Sequence, residues 1–389
     1  MKITHIITRL IVGGAQENTV ATVLGLRRKP GVEVNLISGP TVGPEGSLES
    51  KVSKIPGLLE IVPELIRPVH PLNDWLALRR LEKILRGQKP DIVHTHSGKA
   101  GILGRLAARC AGVPVVIHTI HGPSFGNFQN GFSNFIFRSA EKYAASATTH
   151  FIVVADAMRQ QYIAAGIGRP GQYAKIFSGF ALEPLLAAKN DLEFRKKLGI
   201  APDDFVIGKI ARLFKLKGHD DLFTVAPELV RRNPKIKFLL VGDGEWRGRY
   251  ENLAKILGLE KNFIFAGLVP PDEVPKFVGI MDVLVHLSLR EGLPRALPQA
   301  LAAGKPVVAS DCDGAREVCF ENETGFLIQP GDLAGLSNRL LQLAGDSALR
   351  EKFGRSGQNF VRDNFGVEKM VDAIYTLYQK PAAARGHYL

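Results

Sequence analysis

The chain has 389 residues, of which 45% are hydrophobic and 23% charged, and it carries a formal net charge of +12. This length exceeds what one hydrophobic core usually organises, so the sequence predicts a globular protein of two domains. It contains no apolar run of about 18 residues, which excludes a membrane-spanning helix, and its three cysteines are too few for a disulfide or zinc framework. The first residues, MKITHIITRL, lead straight into a strand and lack the apolar stretch of a signal peptide, so we expect a cytoplasmic protein.

Strands and helices alternate through the first half of the chain. Lys2–Thr8 is typical of a buried strand, and the pair Gly13-Gly14 precedes a helical run at Asn18–Arg28. Further strands are predicted at Val32–Ser38, Lys89–Ser97, Val113–Thr119 and Phe151–Ala155, with helices at Asp74–Arg86, Lys99–Ala111 and Ala157–Ala165. This order indicates a mostly parallel sheet covered by helices. The glycine pair alone favours a tight turn over a phosphate-binding one.

Two helical segments of the first half have faces with more than one interpretation. Asp74–Arg86 places Trp75, Leu78, Leu81 and Leu85 on a predicted buried side. Its basic residues Arg79, Lys83 and Arg86 fall on one face, which suits an anionic membrane or a solvated surface equally. Phe128, Phe132 and Phe135 recur at helical spacing, and we favour a core stripe over a face that meets a lipid acceptor.

The second half repeats the alternation after a passage at Ala181–Asp204. Phe205–Ile210 has the pattern of a buried strand, and Arg212 and Lys217 follow it just before a helix. Later strands are predicted at Lys237–Val241, Val283–Leu287, Val307–Ser310 and Gly325–Ile328, and later helices at Leu333–Leu343, Ser347–Phe353 and Val367–Tyr378. Two basic residues after a strand are ordinarily solvated, although Arg and Lys there also suit a phosphate.

Two groups of residues resemble metal-binding sites, but for each of them a role without a metal is favoured. His94, His96, His118 and His121 lie at the ends of two predicted strands, but no cysteine or carboxylate recurs beside them at metal-site spacing. We therefore favour polar strand ends. The sequence Asp311-Cys312-Asp313 has the form of a metal-binding Asp-x-Asp, but it directly follows a predicted strand, and a role in shaping the loop is favoured.

The stretch HLSLREGLPRALPQALAAGKPVVAS, residues His286–Ser310, is the most specific part of the sequence. It resembles the donor-site signature of retaining glycosyltransferases of family 4, in which Glu-Gly-(Phe/Leu)-(Pro/Gly) opens a helix that carries a second Glu. Glu291 matches the first Glu, whereas Gln299 stands where the family has the second, which typically holds the ribose. Gln can still hydrogen-bond hydroxyl groups but lacks the stronger charge-assisted bond, so we expect binding to survive in weaker form.

The resemblance implies the α/β GT-B fold, with two Rossmann-like, doubly wound parallel-sheet domains that face each other across a cleft. Residues 1–180 would form the acceptor-side domain, and the final helix within 367–389 would pack back on it. Residues 181–366 would bind the nucleotide-sugar donor.

The resemblance also implies the site residues. Arg212 and Lys217 would hold the donor diphosphate, Glu291 would bind sugar hydroxyls, and His121, within HTIHGPSFG, would face the donor sugar. These four are the predicted catalytic residues. The predicted donor-binding residues are Gly13, Gly14, Gly242, Val269, Gly292, Leu293, Pro294 and Gln299, and His96 and Lys99 are predicted on the acceptor side.

The implied activity is retaining transfer of a sugar from a nucleotide sugar to a glycan or lipid-linked acceptor in surface polysaccharide or glycolipid synthesis. A UDP-sugar is favoured as donor and GDP-mannose is next, and no metal or other cofactor is expected. Partners would be the two substrates and an anionic membrane surface at the inner face of the plasma membrane, but not nucleic acid. A nucleotide-sugar epimerase on the same fold and a basic non-catalytic binding protein are the alternatives.

Overall fold

The computed structural model describes residues 1–43, 46–126 and 128–383, with side chains described as far as residue 380. The chain divides into two compact units. The first comprises Met1–Phe180 and the chain from Gly366 onward, and the second comprises Ala181–Phe365. Gly366, which the sequence boundary placed in the second domain, forms a bridge with Phe180 and belongs to the first unit.

The first unit is built on a seven-stranded parallel sheet in the order β3-β2-β1-β4-β5-β6-β7. Its strands are β1 (Lys2–Ile7), β2 (Glu33–Ser38), β3 (Leu59–Ile61), β4 (Ile92–His96), β5 (Val115–Ile120), β6 (His150–Val153) and β7 (Tyr173–Lys175). Its helices are α1 (Gly14–Leu26), α2 (Ser50–Ser53), α3 (Pro71–Gln88), α4 (Gly98–Cys110), α5 (Gly131–Ala145), α6 (Asp156–Ala164) and, from the end of the chain, α15 (Val367–Ala383). β1 is buried along nearly its whole length, including the polar Thr4 and His5, because helices cover both faces of such a sheet.

Helix α15 contributes directly to the core of the first unit. Met370, Val371, Ile374 and Leu377 pack in one cluster with residues of β1, β2 and α1. Tyr378 on the same helix is fully buried. The amphipathic pattern of the final helix is thus used against the first sheet.

The second unit is built on a six-stranded parallel sheet in the order β10-β9-β8-β11-β12-β13. Its strands are β8 (Phe205–Ile210), β9 (Ile236–Val241), β10 (Phe263–Gly267), β11 (Val283–His286), β12 (Val307–Ser310) and β13 (Gly325–Ile328). Its helices are α7 (Glu183–Leu186), α8 (Leu192–Lys197), α9 (His219–Arg232), α10 (Arg247–Ile256), α11 (Val274–Gly279), α12 (Ala296–Ala302), α13 (Leu333–Gly345) and α14 (Ser347–Asn364).

Each sheet has one point where the strand order reverses direction. In the first unit β1 and β4 are neighbours, and in the second β8 and β11 are neighbours. Loops that leave the carboxyl ends of two such strands diverge and open a crevice, which is where doubly wound sheets bind ligands. The loops after β8 and β11 contain Arg212, Lys217 and Glu291, so the topology brings these residues to one edge.

Two predictions of buried faces are wrong in part. On α3 the predicted Leu81 and Leu85 are buried together with Ala77, whereas Trp75 is 53% exposed. On α5, Phe132 and Phe135 are 76% and 68% exposed, so the stripe predicted as core lies on the surface. A periodic apolar face only shows that a helix is amphipathic, and the tertiary fold decides which side it covers.

Candidate functional site

A pocket of about 210 Å³ opens at the carboxyl ends of β8 and β11 in the second unit. It is lined by Ile210, Ala211, Arg212, Lys217, His286, Glu291, Pro294, Arg295, Ala296 and Gln299. Five residues predicted from the sequence therefore share one pocket: Arg212, Lys217, Glu291, Pro294 and Gln299. These five include two cations, one carboxylate and one amide, and Arg295 adds a third cation to the lining, which is a set of groups suited to a phosphate joined to a polyol.

The loop between β8 and α9 holds its cations through an unusual backbone path. Leu216 and Gly218 have positive φ angles of 69° and 65°. A Cβ atom on Gly218 would lie 2.0 Å from the carbonyl oxygen of Leu287, so only glycine fits there. The amide of Leu289 donates to the carbonyl oxygen of Leu216 at 3.0 Å, which ties this loop to the one after β11. The close approach fixes Lys217 beside Glu291.

Lys217 and Glu291 form the central ion pair of the pocket. The Lys217 ammonium donates to Glu291 Oε1 at 2.5 Å, and His286 Nε2 lies 3.6 Å from the same oxygen. Burial raises the pKa of the Glu291 carboxyl, but His286, the Lys217 charge and its hydrogen bond outweigh burial and hold that pKa below its ordinary value. Glu291 is therefore ionised at neutral pH and can accept hydrogen bonds from hydroxyl groups.

The backbone of Glu291 is positioned by the residues that follow β12. Asp313 accepts a hydrogen bond from the Glu291 amide at 2.7 Å, and the Gly314 amide donates to the Gly292 carbonyl at 3.1 Å. Asp311 forms an ion pair with Arg316. Both carboxylates of the Asp-x-Asp thus have protein partners, in agreement with the loop role that the sequence favoured.

Two buried basic side chains, Lys209 and His219, lie close to the pocket without lining it. Lys209 and His219 are each 1% exposed, and neither the Lys209 ammonium nor either nitrogen of His219 has a hydrogen-bond partner among the described residues. Burial lowers the pKa of Lys209 to about 7, and the nearby charge of Lys217 adds to this effect. Burial likewise lowers the pKa of His219 to about 2 and that of His286 to about 4.

Sequence reasoning missed Lys209, His286 and Arg295 as site residues. A lysine inside the apolar strand FVIGKI was the available signal for Lys209, because a buried charge is rare without a function or partner. His286 ends β11, at the edge where the site lies. Arg295 offered no comparable signal, since it falls in a loop whose path the sequence does not specify.

The remaining predicted donor-binding residues of the second unit do not line the pocket. Gly242 has a φ of 131°, and a Cβ there would lie 2.3 Å from the Ala211 carbonyl oxygen, so its backbone supports the turn that carries Arg212. Gly292 is buried and Leu293 is partly buried in the loop after β11. Val269 is partly buried after β10 and is not among the lining residues.

The predicted residues of the first unit lie at the carboxyl edge of its sheet. Gly13 and Gly14 form the turn that begins α1. His121 follows β5, is half-buried and is bonded through Nε2 to His96 Nδ1 at 3.2 Å. His96 itself is fully buried, and the Lys99 ammonium binds Asp74 and the Pro68 carbonyl. Both side chains thus have hydrogen-bond partners within the first unit.

The histidines weighed as metal ligands are arranged differently from the sequence expectation. His118 bonds Thr95 Oγ1 at 2.9 Å, while His5 joins His94 and His96. One nitrogen from each of His5, His94 and His96 lies within 4.8 Å of the others, a spacing that could hold a metal ion. Every nitrogen of these three rings, however, already has a protein hydrogen-bond partner.

Comparison with known proteins identifies relatives of both units. The family model for Glycosyltransferase Family 4 matches residues 12–171, and the model for Glycosyl transferases group 1 matches residues 190–360. The UDP-Gal:alpha-D-GlcNAc-diphosphoundecaprenol alpha-1,3-galactosyltransferase of Escherichia coli is 32% identical over 82% of each chain. A putative glycosyltransferase, EpsD of Bacillus subtilis, is 31% identical over 80% of this chain and 82% of its own.

Solved structures are similar to this chain over almost its whole length. Anabaena HepE in complex with UDP superimposes with a TM-score of 0.81 at 22% identity and covers 97% of this chain and 100% of its own. The same protein in complex with UDP-glucose gives a TM-score of 0.80 over 97% and 99%. These neighbours share the GT-B arrangement, with two parallel-sheet α/β domains in one chain.

Proposed function

The chain belongs to glycosyltransferase family 4, and we propose that it transfers a sugar, with retention of configuration, from a UDP-sugar to a lipid-linked or glycan acceptor. It is thus a glycosyltransferase, and the proposal concerns its donor, its acceptor and its stereochemistry. The observation that carries the proposal is the pocket in which Arg212 and Lys217 meet Glu291.

The proposed catalysis depends on where negative charge develops during sugar transfer. As the bond between sugar and diphosphate breaks, negative charge grows on the departing phosphate oxygen. Arg212 and Lys217 stabilise that charge more strongly than they stabilise the intact donor, which lowers the barrier. Glu291, ionised beside Lys217, accepts hydrogen bonds from sugar hydroxyls and orients the ring. In this proposal the departing phosphate takes the acceptor proton on the same face, so the configuration is retained.

Two features support a UDP-sugar ahead of GDP-mannose. The Escherichia coli relative is named for UDP-Gal, and HepE has been solved with UDP and with UDP-glucose. The name of that relative also specifies an alpha-1,3 linkage, which is what retention yields from an α-linked nucleotide sugar. Thermal unfolding with UDP, GDP and ADP sugars tests the base, because a ligand that binds only the folded state raises the melting temperature. A larger shift with GDP-mannose than with UDP-sugars would refute this choice.

Arg212 and Lys217 also supply the positive charge that other glycosyltransferases take from a divalent metal. We therefore propose that transfer needs no metal. Activity that persists at full rate in EDTA agrees with this proposal. Loss of activity in EDTA, restored by Mg²⁺ or Mn²⁺, contradicts it.

A lipid-linked acceptor is supported by the exposed apolar surface of the first unit. On α5, Phe132, Phe135 and Ile136 are exposed. Basic residues Arg79, Lys83 and Arg86 are exposed on α3, although Glu82 forms ion pairs with two of them. The whole chain carries a net charge of +12, and these exposed apolar and basic groups suit an anionic bilayer surface. Among the described residues no helix is long and apolar enough to cross a membrane.

Sedimentation with vesicles tests the membrane contact. The double variant F132S/F135S should lose binding to vesicles that contain anionic lipid while remaining folded. The matched control is Ile256→Ser, which removes an equally exposed apolar side chain from α10 in the second unit. Equal binding by the two variants would show that α5 is not the contact.

Incubation of the protein with a labelled UDP-sugar and a polyprenyl diphosphate sugar tests the transfer itself. The expected product carries the label on the acceptor in an α linkage. Release of an epimerised sugar without any acceptor product would instead support the epimerase alternative. The variant Glu291→Gln should abolish most transfer while retaining the native melting temperature within a few degrees.

A further inference from the structure

A continuous hydrogen-bonded series runs through the core of the first unit and ends at His121. Thr119 Oγ1 lies 2.7 Å from His94 Nε2, and His94 Nδ1 lies 2.5 Å from the Tyr378 hydroxyl. That hydroxyl lies 3.4 Å from His5 Nε2, His5 Nδ1 lies 2.9 Å from His96 Nε2, and His96 Nδ1 lies 3.2 Å from His121 Nε2. We call these six residues the histidine relay: Thr119, His94, Tyr378, His5, His96 and His121.

All four imidazoles of the relay are neutral at physiological pH. His5, His94 and His96 are fully buried, and burial lowers the pKa of His5 to about 3 and that of His121 to about 4. The pKa values of His94 and His96 are also held well below their ordinary value, first by burial and then by the neighbouring histidines. A neutral imidazole has one N–H donor and one lone-pair acceptor.

This donor and acceptor count couples the rings to one another. Each relay imidazole except His121 uses both nitrogens within the relay, and the Tyr378 hydroxyl has a single proton to donate. When the buried Tyr378 proton is used within the relay, the hydroxyl donates to one neighbouring ring and accepts from the other, so every bond points the same way. If protons point toward His121, all four histidines carry N–H on Nδ1; if they point toward Thr119, all four carry it on Nε2.

We propose that Tyr378 is a positioning residue for His121: by joining His94 to His5 it makes the relay continuous, so that the tautomer of His121 is set together with those of the buried histidines. His121 Nδ1 is the one imidazole nitrogen of the relay that none of these bonds uses, so it is the atom left for a ligand. In one state it donates a hydrogen bond and in the other it accepts one. The proposal rests on the proposed function only in naming that ligand as the donor sugar.

The relay explains these histidines better than a metal site does. A metal ion bound by His5, His94 and His96 would require their ligand nitrogens to give up the hydrogen bonds that join them to each other, to Tyr378 or to Thr119. Hydrogen bonding within the protein already satisfies each of these buried polar atoms.

Nitrogen NMR of the full chain, with ¹⁵N-labelled histidine, measures the tautomers directly. The wild type should show the same tautomer for His5, His94, His96 and His121. In Tyr378→Phe the relay is split, and a buried lone pair is tolerated more readily than a buried N–H without an acceptor. We therefore expect Nε2–H for His94 and Nδ1–H for His5, His96 and His121, which is a mixed set.

The control is Tyr375→Phe, which removes a hydroxyl from the same helix outside the relay and should leave all four tautomers unchanged. Mixed tautomers in the wild type, or an unchanged uniform set in Tyr378→Phe, would overturn the proposal. Tight binding of added Zn²⁺ with shifts in the His5, His94 and His96 resonances would also overturn it in favour of a metal site.

Kinetics separate the relay from the proposed function. With a UDP-sugar donor, Tyr378→Phe should lower kcat/KM by about fivefold to tenfold, the scale of one hydrogen bond, while Tyr375→Phe should not. Uniform tautomers in a protein without transferase activity would leave the relay standing and refute the proposed function. Transferase activity together with mixed tautomers in the wild type would refute the relay and support the proposed function.

Discussion

At the scale of single residues, the pocket depends on opposite charges that hold each other in place. Lys217 and Glu291 are each about one-fifth to one-quarter exposed and hydrogen-bonded at 2.5 Å. When a diphosphate enters, Lys217 can bind a phosphate oxygen while Glu291 turns to the sugar hydroxyls. A pair that is satisfied before the substrate arrives keeps both groups charged without leaving either one buried alone.

Lys217→Ala should lower kcat by about 10²–10³-fold, because it removes one cation from the developing charge on the leaving group. The matched control is Lys215→Ala, which removes an exposed lysine from the same loop outside the pocket. Steady-state kinetics with a saturating UDP-sugar measure the difference. Equal losses in the two variants would show that general positive charge, and not Lys217 itself, supports the reaction.

Gln299→Glu addresses the departure from the family signature. Gln299 lines the pocket, and a carboxylate there would make a charge-assisted bond to a hydroxyl, roughly twice as strong as a neutral one. We expect the KM for the donor to fall several-fold with little change in kcat, and Gln299→Ala to raise it. An increase of KM in Gln299→Glu would mean that the added negative charge opposes the diphosphate instead.

Lys209→Met should stabilise the protein and change how stability depends on pH. The folded pKa of Lys209 is about 7, below its ordinary value of 10.5. Between these values the unfolded chain binds a proton that the folded chain does not, so the free energy of unfolding falls as the pH drops from about 10 to 7. Methionine removes this dependence, and urea unfolding at pH 7 and 10 measures it. Lys261→Met, at an exposed lysine, is the control and should leave the dependence intact.

At the scale of elements, most strands follow from the sequence because apolar runs of this kind persist wherever a parallel sheet is buried on both faces. β8, β12 and β13 have the predicted ends, and the other predicted strands lie within a few residues of theirs. The edge strands β3 and β7 have three residues each, too few to show a pattern. The exposure of Trp75 on α3 and of Phe132 and Phe135 on α5 was not predicted, because amphipathicity does not say whether an apolar side meets a core or another surface.

The candidate site likewise contains residues that the sequence motif predicted and residues that only the fold brings together. Arg212, Lys217, Glu291, Pro294 and Gln299 were predicted from the motif and share the pocket. His286 lines it from the end of β11 and Lys209 lies close to it on β8, and their place depends on how two strands distant in sequence become neighbours. The relay partners Tyr378 and His5 are separated by 373 positions, and no spacing rule joins residues so far apart.

Gly218→Ala tests the loop between β8 and α9 as an element. Ala at a positive φ costs about 1–2 kcal/mol, and here its Cβ would also lie 2.0 Å from the Leu287 carbonyl oxygen. Gly258→Ala is the matched control, since its φ of 66° is nearly the same and nothing lies within 4 Å of the added atom. We expect Gly218→Ala to lose more unfolding free energy than the control and to weaken donor binding. Equal losses would mean that the backbone shifts freely and that this contact does not position Lys217.

At the scale of the whole molecule, neutral buried histidines in both units make the fold sensitive to acid. Burial holds the pKa at about 3 for His5 and about 4 for His121 in the first unit. In the second unit it holds the pKa at about 2 for His219 and about 4 for His286. In the unfolded chain each of these groups titrates near 6.5. Both units thus contain bases that gain protons only on unfolding.

The difference in proton binding between the folded and unfolded chain determines how the free energy of unfolding changes with pH. Below pH 6.5 the unfolded chain binds more protons than the folded chain, so the free energy of unfolding decreases as the pH falls and stops decreasing only near the folded pKa values. Each such histidine contributes up to about 1.4 kcal/mol per pH unit in that window. We therefore expect a steep loss of stability between pH 6.5 and 4, measured as urea midpoints at half-unit steps. His219→Gln should reduce the number of protons taken up on unfolding at pH 5.5 by about one. A flat profile across this window would mean that the histidines ionise inside the fold, and a relay of neutral imidazoles could not then persist at low pH.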